Sequence, residues 1–112
     1  MGADSCVVYY GVRYQVTDDT ELEQLEARTH PLMQAAKRVG LQHYWGNFSM
    51  EGREYHLLLV GREIGVFGLE GISERELGDA EFQQVMQDTR ERLQRGGFSL
   101  VPALQIQFEP DF

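Results

Sequence analysis

Residues 41–60, LQHYWGNFSMEGREYHLLLV, constrain the chain more than any other stretch, because two runs rich in aromatic and aliphatic residues flank the dipeptide Glu51-Gly52. A two-residue loop ending in glycine between such runs is the signature of a tight β-hairpin. With Glu51 and Gly52 as the loop, the register pairs Met50 with Arg53, Phe48 with Tyr55, Asn47 with His56, Trp45 with Leu58 and His43 with Val60. Side chains alternate across a strand, so two faces separate. One carries Tyr44, Phe48, Tyr55, Leu57 and Leu59, a dry set expected to pack under helices. The other carries His43, Trp45, Asn47, His56, Leu58 and Val60, a mixed aromatic and polar set expected to face outward.

The flanking segments supply the remaining elements. Cys6 to Val16 is rich in Val and Tyr and apolar on both faces in its first half, as a central strand covered on two sides must be. Asp18 with Glu21, or Thr17 with Glu21 nearby, can cap a helix that carries Leu22, Leu25, Thr29, Leu32, Met33, Ala36 and Val39 at helical spacing. Pro31 interrupts it, giving either a kink or a second helix that starts near Thr29 to Pro31, and Lys37, Arg38 and Gly40 mark its end. Beyond the hairpin, GREIGVFGLEG favours an extra short strand near 64–69 over a bulge in one long strand. Ser73 with Glu76 suggests a short helical turn. A longer helix is expected from Asp79 to Arg95, with Phe82, Val85, Met86, Thr89 and Leu93 on one face. The last strand, Ala103 to Glu109, follows Pro102 and so belongs at a sheet edge.

The order β, α, β, β, α, β is the ferredoxin-like α+β pattern, an antiparallel sheet with two helices on one face. It places the first and third strands in the centre and the second and fourth at the edges. The open face would then bear Val7, Tyr9, His43, Trp45, His56, Leu58 and Val60, an apolar surface large enough to call for a cover. A second copy in a two-fold dimer is the simplest one.

At 112 residues, residues 1–112 form a single domain that needs no disulfide or metal staple. A formal charge of −8 opposes polyphosphate binding, so nucleic acid is not an expected partner. No apolar run is long enough to span a bilayer, so no membrane is expected either. The start MGADSC lacks a basic region followed by an apolar one, and Cys6 stands where a myristoylation signal wants Ser or Thr, so a cytoplasmic location is expected.

Chemistry is sparse. His43 and His56 are the candidate acid or base residues, but the register sets them four residues apart along the sheet, roughly 13 Å, too far to share one metal. No metal site and no cofactor are expected. Gly61, Gly65, Gly68 and Gly71 lack the Lys-Ser or Lys-Thr of a phosphate loop and read as turn and bulge residues. Cys6 has no basic neighbour and reads as a buried, inert thiol. The expected function is therefore a non-enzymatic homodimeric binding or regulatory module, taking a protein or small-molecule partner on a face formed by Tyr9, His43, Trp45, Asn47, His56 and Leu58. The alternative is a small cofactor-independent enzyme that uses His43 or His56 as acid or base on an apolar or aromatic small molecule.

Overall fold

A computed structural model of the chain describes residues 4–50, 53–68 and 71–109, the side chains of 48–50 and 53–55 excepted. The elements are β1 (Ser5–Val16), α1 (Asp19–Ala27), α2 (Pro31–Arg38), β2 (Gln42–Met50), β3 (Arg53–Gly68), α3 (Asp79–Arg95) and β4 (Ala103–Glu109). The strands form one antiparallel sheet in the order β2-β3-β1-β4. Central placement of β1 and β3 follows from their composition, since each is apolar on both faces.

Local signals account for the helical layer. Asp18 accepts a 2.7 Å hydrogen bond from Thr20 N–H and caps α1. Arg28 ends it in a left-handed conformation, φ 61°. Pro31 opens α2 at its first turn, where a missing N–H costs nothing, and His30 caps it by accepting from Leu32 N–H at 3.1 Å. The interruption at Pro31 thus yields two short helices. Across the layer, Arg92 of α3 pairs with Asp88 at 2.9 Å and donates to Val39 O at 2.9 Å, tying α3 to the end of α2.

The hairpin register is the one its loop length dictates, with His43 opposite Val60, Trp45 opposite Leu58 and Asn47 opposite His56; the turn at Glu51 and Gly52 lies outside the described residues. Two local expectations are corrected. Among the described residues no separate strand forms near 64–69: β3 runs unbroken to Gly68 because β1 offers pairing partners from Val16 to Ser5, with a bulge at Ile64 between the pairs Tyr9–Glu63 and Val8–Gly65. Nor does a helical turn form at Ser73. Ile72 instead folds back on the end of β3, donating to Val66 O at 3.1 Å and accepting from Gly68 N–H at 3.3 Å.

A larger correction concerns which face the helices cover. β1 pairs Val12 with Val60 and Tyr14 with Leu58, so these share one side of the sheet. On that side Leu25, Met33, Ala36 and Leu93 of the three helices pack, enclosing Leu58 and Val60 and touching Trp45. The mixed face of the hairpin is therefore the one under the helices, and the dry face, Tyr44, Leu57 and Leu59, is the one away from them. Alternation defines two faces but leaves open which one a helix takes when both are apolar.

The face away from the helices is not open. Val7 and Leu59 there are 0% exposed and Tyr9 only 2%, although no helix lies over them. The sheet curls until its two edge strands meet, and Tyr44 of β2 hydrogen-bonds Glu109 of β4 at 2.5 Å. Gly11 and Gly61, directly paired in the central strands, allow the bend: a Cβ on Gly11 would stand 2.8 Å from Gly61 Cα. Two cores result, one between sheet and helices and one inside the curl.

Candidate functional site

The six residues that the sequence groups into one face are divided by the fold. Tyr9 lies inside the curl, whereas His43, Trp45, Asn47, His56 and Leu58 lie on the helix side. Leu58 is fully buried and Trp45 half-buried against the core, which withdraws the centre of the expected partner surface from solvent. His56 stands opposite Val16 and Asn47, with Nδ1 buried and unpartnered among the described residues. His43 lines a cavity.

That cavity, about 250 Å³, is lined by Arg28, Met33, Gln34, Lys37 and His43. Three elements converge on it: the turn after α1, one face of α2 and the start of β2. Gln34 Nε2 donates to Arg28 O at 2.9 Å and so fixes the turn that carries Arg28. Burial of part of the His43 ring, and then the Arg28 charge, lower the His43 pKa from its ordinary value. Its imidazole is neutral at neutral pH and able to accept a proton. Two larger depressions, about 370 and 320 Å³, are walled by α3 alone or by α3 with Arg62.

Inside the curl a second polar cluster forms. Burial, then the Glu63 carboxylate and then Tyr44 hold the Tyr9 phenol well above its usual pKa. Burial does the same at Tyr44, reinforced by its hydrogen bond to Glu109. Gln107, 7% exposed and opposite Val7, shares this face. No local pattern announces the cluster, because Tyr44 and Glu109 lie 65 residues apart. His30 is different: the proline after it marks it as the cap of α2, and its side chain is buried beside Glu21 at 4.0 Å.

The apolar surface that remains exposed lies elsewhere. Leu104, Ile106 and Phe108 alternate along the helix-side face of β4 and are 47%, 61% and 47% exposed. They pair with Tyr10, Val8 and Cys6 of β1, and α3 covers only the Tyr10 end, where Phe82 meets the Tyr10 ring edge-on at 5.9 Å and Arg90 bonds its hydroxyl at 3.0 Å. Cys6, expected to be buried, is half-buried next to this stripe. Among the described residues no group of three or more His, Cys, Asp or Glu side chains is placed to hold a metal, and no helix is long and apolar enough to cross a membrane. Set against protein-family models, curated proteins and solved structures, the chain matches none.

Proposed function

We propose that the chain is a ferredoxin-like, non-enzymatic binding module that works as a homodimer, with the β4 stripe as its partner surface. The observation that carries this reading is the exposure of Leu104, Ile106 and Phe108 on alternate positions of an edge strand, while the central strands' apolar side chains among the described residues, Val12, Leu57, Leu58, Leu59 and Val60, are buried within the chain. Contiguous exposed apolar side chains on a small domain mark an interface, and an edge strand lets two copies meet by a two-fold axis with the same residues on each side. The central position of β1 and β3 supports the ferredoxin-like reading. Light scattering at micromolar concentration tests the dimer: the wild-type protein gives twice the chain mass and Ile106→Lys gives the chain mass with the wild-type circular dichroism, its unfolding midpoint lowered only to that of the dilute wild-type protein. A wild-type monomer overturns it.

A second reading, a small cofactor-independent enzyme, is favoured by one observation only, a neutral His43 in the wall of a cavity. His43→Ala tests it, since a variant that keeps ligand binding and turnover intact removes His43 from any acid or base role.

A further inference from the structure

We infer that the cavity between α1, α2 and β2 is a binding site for a small oxyanion, a carboxylate or a phosphate, held by Arg28, Lys37 and Gln34 with His43 at its side. The chain carries only 10 Lys and Arg against 18 Asp and Glu, yet two of those ten point into one cavity that no carboxylate lines. Neither Arg28 nor Lys37 forms an ion pair among the described residues, whereas Arg75 and Arg92 pair with Glu81 and Asp88. An unneutralised pair of cations facing a concavity is a site for an anion, which would take charge-assisted hydrogen bonds from both.

The backbone supports the assignment independently of charge. Arg28 occupies a left-handed conformation, φ 61° and ψ 31°, that costs a residue with a side chain more than it costs glycine. Glycine would serve the α1 to α2 turn better, and the turn nevertheless presents a guanidinium to the cavity. Gln34 holds that turn through the Arg28 carbonyl and itself lines the same cavity. Lys37 follows Met33 and Gln34 by one helical turn, so all three share one side of α2, with buried Met33 as an apolar floor. The cavity is below the size of drug-binding clefts, which fits a compact ligand with a short apolar stem. The proximity of Arg28 to His43 disfavours a second positive charge there, and a bound anion would relieve that repulsion.

The test is an NMR titration of the full chain with sodium phosphate and, separately, sodium butyrate, at constant ionic strength maintained with chloride. The His43 ring protons and the Gln34 side-chain amide shift and saturate with at least one anion, while His30 and His56 stay put. Saturation by phosphate alone assigns a phosphate site, and by butyrate alone a carboxylate site. Two variants separate binding from folding. Arg28→Gly suits the left-handed turn, so its unfolding midpoint is unchanged or raised while its affinity falls about tenfold, the loss of one charge-assisted contact. Lys37→Gln, on an exposed helix face, weakens binding comparably without unfolding the chain. Linear, non-saturating shifts with both anions, or affinities that neither variant changes, overturn the assignment.

Discussion

The Tyr44 hydroxyl donates a 2.5 Å hydrogen bond to Glu109 Oε1, joining the two edge strands across the face of the sheet that carries no helix. That contact closes the curl over Val7, Tyr9, Leu57 and Leu59, and it turns a face with the composition of an interface into a second core. Tyr44→Phe keeps the ring and removes the bond, leaving a half-buried carboxylate without this donor. Urea denaturation should show a loss of about 1.5–3 kcal/mol, the range for a hydrogen bond to a charged acceptor.

The same cluster sets the alkaline limit of the fold. Tyr9 and Tyr44 keep their protons to higher pH when folded than when unfolded, where a phenol titrates near pH ~10. Above that value the unfolded chain releases protons that the folded chain retains, so stability is full below pH ~10 and falls as pH rises past it. In a spectrophotometric titration at alkaline pH, at least two of the five tyrosines should ionise only as the circular dichroism is lost. Ionisation of all five with the fold intact would remove Tyr9 and Tyr44 from a buried cluster.

Curling depends on two backbones that approach without side chains between them. A methyl group on Gly11 would sit 2.8 Å from Gly61 Cα, and neither strand can move aside without opening the central pairing. Gly11→Ala should cost more than about 3 kcal/mol in equilibrium unfolding. Gly78→Ala, at the N-cap of α3 with nothing within 4 Å, should cost no more than about 1 kcal/mol.

Thr89 is 1% exposed on the inner side of α3, and its hydroxyl has no hydrogen-bond partner among the described residues. Replacing that hydroxyl by a methyl of similar volume removes the cost of burying it. Thr89→Val should raise stability by about 0.5–1.5 kcal/mol, read as an increase in the urea midpoint at constant slope.

Much of this architecture is legible in local chemistry. The loop length at Glu51-Gly52 implies the pairing of His43 with Val60 and Asn47 with His56, Pro31 implies a helix start, and the spacing of Phe82, Val85, Met86, Thr89 and Leu93 implies α3 with the bounds observed. The side of the hairpin that meets the helices is a different matter. Leu57, Leu58, Leu59 and Val60 are all buried, so β3 shows no preference by composition, and the choice is made by the register of β1, which sets Val12 opposite Val60. Closure of the curl is likewise non-local, since it joins residues at opposite edges of the sheet. His43 was visible as a candidate from its type alone. Arg28 was not, because a basic residue just before a proline-led helix looks like solvated surface until the turn is seen to aim it at a cavity.

The claim on which the functional reading rests is that two copies meet through the outer side of β4 and not through the side carrying Tyr9. Methyl-resolved NMR spectra recorded from dilute to concentrated protein test it directly. The methyl signals of Leu104 and Ile106 should move with concentration along a saturating dimerisation curve, while those of Val7, Leu57 and Leu59 stay fixed. Movement of Val7, Leu57 and Leu59 with Leu104 and Ile106 unchanged would contradict the account, because it would place the partner surface inside the curl.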